Sequence, residues 1–119
     1  MSDLIVLQKR VAEFRDARDW RQFHTPKDLS MAIAIEAAEL MECFLWKSKE
    51  QVDEDINSNK LAEINEEISD ILILLLNLTN ILGIDIIKIA NQKLDLNGEK
   101  YPIDKAKGNA KKYTELAKE

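Results

Sequence analysis

The sequence contains few of the residues that mark several common classes of protein. One cysteine in 119 residues excludes a disulfide within the chain, and we therefore expect a reducing compartment, the cytoplasm. One cysteine and one histidine are also too few for an ordinary zinc site. Three glycines, two prolines and the absence of a β-hairpin signal favour helices joined by short connections.

Long apolar runs and an excess of basic residues are missing as well. The longest apolar run, Ile71 to Leu76, is far shorter than the roughly 20 residues that span a bilayer, and the N-terminus lacks a signal-peptide pattern. We therefore expect a soluble protein that does not bind membranes. Seventeen lysines and arginines against 22 acidic residues give a net charge of −5, which argues against binding a nucleic-acid polymer. A small polyanion held through a metal ion is compatible with this charge.

The length and composition predict one all-α domain over residues 1–119. With 45% hydrophobic and 33% charged residues, the chain can bury one core but hardly two. Apolar residues at three- and four-residue spacing, preceded by capping residues, predict an arrangement like a four-helix bundle. The four helices are expected from Ser2 to about Arg21, from Thr25 to about Lys47, from Leu61 to Leu82 before Gly83, and from Asp85 to about Leu96.

The remaining segments are predicted to be less regular. Residues 48–60 are polar and acidic and predict a surface loop, in which a short helical turn can occur. The Asn97-Gly98 pair predicts a turn, and residues 103–119 predict a loop with one short helix.

The second half of the third helix, "ILILLLNLTNIL", is apolar almost all round. Such a helix needs cover on every side, which a small monomer seldom provides. The pattern therefore predicts a homodimer or homotetramer that associates through apolar helices.

Two carboxylates interrupt the apolar second helix. Glu36 and Glu39 lie about 60° apart around a helix, so both point into the same space. Their neighbours on that face, Leu40 and Cys43, are apolar. Two carboxylates in such surroundings repel each other unless a cation or a proton compensates their charge.

The third helix carries a matching pair, Glu67 and Asp70. Two antiparallel helices with such pairs can bring four carboxylates to one point, which suits a hard divalent cation, Mg²⁺ by default and Mn²⁺ as a substitute. Glu63 falls between Glu67 and Asp70 in angular position, one turn earlier. It is a candidate ligand, water-activating base or surface residue.

Two alternatives to a magnesium site must be weighed. All these acids could be solvent-facing charges paired with lysines, as single Glu-x-x-Glu pairs usually are. A di-iron carboxylate bundle also gathers acids from several helices, but it uses Glu-x-x-His. Here the residue three after Glu36 is Glu39, the residue three after Glu67 is Asp70, and the residue three before His24 is Arg21. The di-iron alternative therefore fails.

The order Glu36-x-x-Glu39 and then Glu67-x-x-Asp70 resembles the MazG-like, all-α nucleoside triphosphate pyrophosphohydrolases. Further words resemble the dCTP pyrophosphatase branch of that family: "RDWRQFH" at 18–24, "FLWK" at 44–47, "KLDLNGEKYP" at 93–102 and "KKYTEL" at 111–116. The resemblance implies hydrolysis of a (deoxy)nucleoside triphosphate to the monophosphate and pyrophosphate, in a role that clears surplus or non-canonical nucleotides from the pool.

The resemblance also implies roles for individual residues. Mg²⁺ would be held by Glu36, Glu39, Glu67 and Asp70. The attacking water would be oriented by Glu39, with Glu63 in reserve. The base and sugar would meet Trp20, His24 and Trp46, and the phosphates and sugar would meet Lys93, Asn97, Lys100 and Tyr101.

This sequence departs from the family pattern at two positions. Ile35 stands directly before the first acid, where some members have a second glutamate, and Lys100 stands where arginine is common. A lysine at position 100 weakens any bidentate grip on phosphate. The alternative function is a non-catalytic helical module that binds nucleotides or a protein partner.

Overall fold

The computed structural model describes residues 2–117, and these residues form helices and connecting turns without a strand. The prediction of an all-α fold is confirmed. The longer helices are α1 (Asp3–Ala17), α2 (Pro26–Glu42), α3 (Lys49–Ile56), α4 (Leu61–Leu82) and α5 (Ile86–Lys100). Two four-residue helices follow, α6 (Ile103–Ala106) and α7 (Tyr113–Leu116), and a 3₁₀ turn, η1 (Arg21–Phe23), precedes α2.

The predicted helix starts are confirmed by side chains that accept hydrogen bonds from backbone N–H groups. Each bond satisfies one of the N–H groups that the first turn leaves without a partner. The N–H groups of Ile5, Asp28 and Lys88 donate to the side chains of Ser2, Thr25 and Asp85 at 3.3, 3.1 and 3.1 Å. The predicted stop of the third helix is also confirmed, because Gly83 ends α4 in the left-handed conformation at φ +67°.

Two predicted helix ends lie too far along the chain. α1 ends at Ala17 because Asp19 adopts φ +54°, and the Trp20 N–H turns back to the Arg15 carbonyl at 3.1 Å. α2 ends at Glu42, and the chain continues in tight turns until Trp46 at φ +62°. A non-glycine residue in the left-handed region follows each helix, Asp19 two residues after the end of α1 and Trp46 four residues after the end of α2, and the sequence pattern does not signal either conformation.

The prediction of a loop over residues 48–60 is wrong. This segment contains the eight-residue helix α3, which starts with a capping box. The Gln51 N–H donates to Ser48 Oγ at 3.2 Å, and the Ser48 N–H donates to Gln51 Oε1 at 2.8 Å. The two reciprocal bonds stabilise the first turn of an otherwise acidic helix.

The C-terminal third also differs from the prediction. Asn97-Gly98 does not turn the chain, because α5 continues to Lys100 and the Tyr101 N–H donates to the Asn97 carbonyl at 2.9 Å. Helical geometry ends just before Pro102, which cannot continue an α-helix. Two short helices, rather than one, occupy residues 103–117, and the predicted segment's last residues, 118 and 119, lie outside the described part.

The chain divides into two compact units between Ile84 and Asp85. In the first unit, α4 packs against α2 and α1, and its buried apolar residues include Val11, Leu29, Ile64 and Leu76. The second unit contains α5, α6 and α7, with Leu116 buried. The extent of a single domain over residues 1–119 stays a prediction, and residue 1 also lies outside the described part.

Within the described residues, no single helix combines the length and apolar composition of a membrane span. α4 and α5 meet that test only when counted together across the break between them.

Gly83, which ends α4, and Gly98, which lies inside α5, allow a matched test of their two backbone conformations. A Cβ added at either glycine meets no atom within 4 Å, so backbone conformation alone decides the effect. We expect Gly83→Ala to destabilise the protein by about 1 kcal/mol, because alanine is strained at positive φ. Gly98→Ala should stabilise it by about 0.5–1 kcal/mol, because it lies inside α5. Urea denaturation measures both, and changes of the same sign would contradict the assigned conformations.

Candidate active site

Three of the predicted carboxylates meet where α2 packs on α4. Oxygen atoms of Glu36 on α2 and of Glu67 and Asp70 on α4 all lie within 4.8 Å of one another. Glu67 and Asp70 are one helical turn apart, so both reach the same point on the α2 side of α4. We call Glu36, Glu67 and Asp70 the acidic cluster.

Two oxygens of the acidic cluster are buried without a hydrogen-bond partner, Glu36 Oε2 and Glu67 Oε2. Burial raises the pKa of Glu36 to about 7, and the adjacent carboxylates of Glu39, Glu67 and Asp70 also raise it. Burial likewise raises the pKa of Glu67, as do Glu39 and Asp70. A buried, unpartnered carboxylate is unfavourable, so the cluster calls for a proton or a cation.

The donor set fits a hard divalent cation. All three side chains offer oxygen, the ligand type preferred by Mg²⁺, Mn²⁺ and Ca²⁺, and the cluster contains no nitrogen or sulfur ligand. The two unpartnered oxygens would gain a partner on binding such an ion. A metal-binding cluster was predicted for this place, although Glu39 is not among the three residues whose oxygens converge.

Glu39 and Glu63 lie at an open cleft beside the acidic cluster. The cleft has a volume of about 340 Å³ and is lined by Glu39, Glu42, Cys43, Glu63, Glu66 and Glu67. Glu39 is exposed, yet its charge raises the pKa of both Glu36 and Glu67. Glu42 and Glu66 also border this cleft. The ligand and base roles of Glu39 and Glu63 stay predictions.

Trp20 and His24 lie together in the segment between α1 and α2. Their ring centroids are 6.2 Å apart, and Trp20 also meets Phe14 edge-on at 5.9 Å. Trp20 remains 43% exposed, so part of its indole is available to a ligand. Their predicted contact with a base or sugar stays a prediction.

A buried polar chain supports His24, and the sequence interpretation missed it. Arg15 is 5% exposed and Asn77 is 3% exposed, and they join His24 through hydrogen bonds. One signal was present in the sequence. Asn77 interrupts the apolar run of α4. It follows Asp70 by seven residues, as Asp70 follows Glu63, so Glu63, Asp70 and Asn77 lie along one stripe of the helix.

Trp46 is held in an unusual conformation at the other end of α2. Its side chain is 92% exposed, and its backbone adopts φ +62°, which is strained for a bulky residue. It borders a second open cleft together with Lys47 and Lys60. No ring of the described residues stacks on Trp46, and its place in a base pocket stays a prediction.

The other predicted substrate-binding residues lie in the second unit. Lys93, Asn97 and Lys100 recur along one face of α5, and Tyr101 follows its last residue. The ammonium group of Lys100 lies 4.8 Å from the centre of the Tyr113 ring, and Tyr101 meets that ring edge-on at 6.1 Å. Their predicted contacts with phosphate and sugar are not tested by this arrangement.

The raised pKa of Glu36 predicts how the stability of the metal-free protein changes with pH. Between the ordinary carboxyl pKa and about 7, the folded state retains a proton that the unfolded state releases. The free energy of unfolding should therefore fall over this range as pH rises, by on the order of 1–2 kcal/mol after solvent screening. Urea denaturation in EDTA at pH 5 and at pH 7.5 measures the change. Glu36→Gln should reduce it, whereas Glu13→Gln, an exposed carboxylate on α1, should not. An unchanged pH dependence in Glu36→Gln would contradict the assignment.

Curated relatives match most of this chain. It is 40% identical over 106 residues to dCTP pyrophosphatase 1 of Rattus norvegicus and 41% identical over 106 residues to that of Bos taurus. Each alignment covers 88% of this chain. The chain spans only 62% and 63% of the length of these two relatives.

A solved structure and a family model agree with these relatives. The crystal structure of a pyrophosphatase from Archaeoglobus fulgidus DSM 4304 matches with a TM-score of 0.78 and 40% identity, covering 86% of this chain and 94% of that one. The family model described as the MazG-like family matches residues 31–116, which include the acidic cluster and its cleft. The chain belongs to the MazG-like family.

Proposed function

We propose that this protein is an enzyme that hydrolyses nucleoside triphosphates to the monophosphate and pyrophosphate, with dCTP as the first candidate substrate. The observation that carries the proposal is the acidic cluster, in which two buried carboxylate oxygens lack a partner. The relatives named dCTP pyrophosphatase 1 support both the reaction and the candidate base.

The acidic cluster would act through a divalent cation. Without one, the carboxylates of Glu36, Glu67 and Asp70 would repel a triphosphate. The three side chains would hold Mg²⁺, or Mn²⁺ in its place, with the carboxylate oxygens as ligands. The bound ion supplies positive charge to phosphate oxygens and makes a nearby water more acidic.

Glu39 is the candidate base for the attacking water. It is exposed at the cleft, close enough to the acidic cluster for its charge to act on Glu36 and Glu67. An exposed carboxylate that does not belong to the tight cluster can approach a water molecule in the cleft and accept its proton. Glu63 borders the same cleft and is the reserve candidate.

The nucleoside would be held by aromatic and imidazole side chains. The exposed face of Trp20 can stack on a base, and Trp46 offers a second exposed indole. Stacking tolerates any base, so hydrogen bonds, with His24 as one candidate, would have to supply the preference. Lys93 and Lys100 would attract the phosphates, while Asn97 and Tyr101 would offer directed hydrogen bonds to phosphate or sugar.

The active form would be a homodimer or homotetramer in the cytoplasm, where it would clear surplus nucleotides. Apolar side chains along α4 support association, since several are 40–52% exposed in the single chain: Ile68, Leu72, Ile73, Leu75 and Leu82. Burying such surface against a second copy is favourable.

A substrate panel tests the proposed reaction. Each deoxynucleoside triphosphate is incubated with the protein in Mg²⁺, in Mn²⁺ and in EDTA, and pyrophosphate and monophosphate are measured separately. We expect release of both products with dCTP in the presence of metal and none in EDTA. Asp70→Asn and Glu39→Gln should each lower kcat by about 100-fold or more, because they remove a predicted metal ligand or base.

The control is Glu13→Gln, which removes an exposed carboxylate outside the acidic cluster and should leave the rate unchanged. No product from any nucleotide, or equal rates for the wild type and Glu39→Gln, would contradict the proposed reaction. Nucleotide binding without hydrolysis would favour the non-catalytic module instead.

A further inference from the structure

A continuous chain of hydrogen bonds runs from α1 through α4 to the loop before α2. Arg15 Nη1 donates to Asn77 Oδ1 at 3.0 Å, and Asn77 Nδ2 lies 2.7 Å from His24 Nδ1. Arg15 and Asn77 are both almost fully buried. Because water has little access to the first two members, their donor and acceptor roles must be complementary.

The chemistry of arginine fixes which group donates and which accepts in both of these hydrogen bonds. A guanidinium group has only donors and stays protonated, so the atom of Asn77 that faces Arg15 must be the amide oxygen. The amide nitrogen of Asn77 then faces His24, and it can only donate. His24 Nδ1 must therefore accept, which requires an unprotonated Nδ1.

A reversed amide would not remove this requirement. If Asn77 turned its oxygen toward His24, its NH₂ group would face the guanidinium, and two buried donors would oppose each other. If the amide kept its orientation and His24 instead carried a hydrogen on Nδ1, that hydrogen would face the Asn77 NH₂ group, and two donors would again oppose each other. The complementary arrangement leaves the ring hydrogen on Nε2.

We propose that Arg15 and Asn77 are positioning residues that hold His24 as a neutral imidazole, with Nδ1 accepting from Asn77 and the hydrogen on Nε2. Among the described residues, Asn77 is the hydrogen-bonding partner of the imidazole ring, so Nε2–H is left to donate to a bound molecule. Burial, and then the charge of Arg15, lower the pKa of His24, which agrees with a neutral ring. Asp16 accepts from Arg15 Nε at 2.9 Å and partly balances that charge.

The position of the Arg15–Asn77–His24 hydrogen-bond chain suits recognition of a nucleoside. This inference rests on the proposed function. Asn77 follows Asp70 by seven residues on the same stripe of α4, which places it roughly 10 Å farther along the helix axis. That separation is comparable with the distance between the phosphates and the base of a nucleotide. The Arg15 carbonyl also accepts from the Trp20 N–H at 3.1 Å, so one residue positions both His24 and the exposed indole.

The Nε2–H group would therefore donate to an acceptor atom of the nucleoside, such as a pyrimidine carbonyl oxygen. A doubly protonated imidazole would also donate from Nε2, but it would lose its acceptor at Nδ1 and its fixed bond to Asn77. A ring with its hydrogen on Nδ1 would present an acceptor at Nε2 and reject such an atom.

The tautomer can be measured directly because His24 is the single histidine of the chain. We would record long-range ¹H–¹⁵N correlations of the imidazole in ¹⁵N-labelled protein, purified without a histidine tag, at pH 7 and without nucleotide. The expected spectrum has a protonated Nε2 and an unprotonated Nδ1. A protonated Nδ1, whether in the other tautomer or in a charged ring, would overturn the proposal. The wild-type spectrum decides this even where a variant fails to fold.

Asn77→Asp tests the role of the amide with little change in shape. A carboxylate cannot donate to Nδ1, so the spectrum should shift to a protonated Nδ1. The KM for dCTP should rise by about tenfold or more, with a smaller change in kcat, since a misdirected hydrogen bond weakens binding.

The matched control is Asn80→Asp, the same substitution one turn along α4. The Asn80 side chain donates to the Gln8 carbonyl at 3.0 Å and is not hydrogen-bonded to Arg15 or His24. The tautomer of His24 and the KM for dCTP should therefore not change. Equal effects of the two variants on the spectrum or on the KM would overturn the positioning role.

The two proposals fail separately in these experiments. A protonated Nδ1 in a protein that hydrolyses dCTP would reject the positioning role and leave the enzyme. The expected tautomer in a protein that releases no pyrophosphate would support the positioning role and reject the enzyme.

Discussion

The structure of the first unit depends on the contact between α2 and α4, which also buries two carboxylate oxygens. Apolar contacts draw these two helices together, and the same contact removes Glu36 and Glu67 oxygens from water without giving them a partner. At the α2–α4 interface, apolar packing is therefore opposed by the loss of carboxylate hydration. Burial raises the pKa of Glu36, so that a proton would relieve the conflict, and a divalent cation would relieve it without loss of charge on the ligands. Metal affinity and helix packing would thus depend on the same contact.

Glu63, Asp70 and Asn77 lie seven residues apart along one stripe of α4. Asp70 belongs to the acidic cluster, and Asn77 lies two turns later on the same face. α1 supplies partners for the polar groups near the end of α4. Arg15 donates to Asn77, and Gln8 donates to Thr79 Oγ1 at 3.0 Å. The buried groups on this part of α4 are therefore paired within the protein, whereas those of the acidic cluster are left for a ligand.

The parts of the structure that could be predicted from the sequence are those determined by neighbouring residues. The caps at Ser2, Thr25 and Asp85 and the stop at Gly83 depend on one turn of helix, and the spacing of Glu67 and Asp70 alone places them on one face. Predictions failed where local signals compete. Asn97-Gly98 is a strong turn signal, but α5 continues through it to Lys100, and the capping box at Ser48 is easily overlooked in an acidic segment.

What could not be predicted depends on partners far apart in the chain. Arg15 and Asn77 are separated by 62 positions, and nothing near either residue in the sequence indicates that their side chains meet. Their pairing explains why arginine suits position 15 better than lysine. A buried lysine readily loses its proton, and its neutral amine could then accept a hydrogen bond from Asn77 instead of donating one. Arginine cannot make that change, so Asn77 has one allowed orientation and His24 one favoured tautomer. The hydrogen-bonding character of His24 is therefore a property of the α1–α4 contact, and no inspection of the residues around position 24 would reveal it.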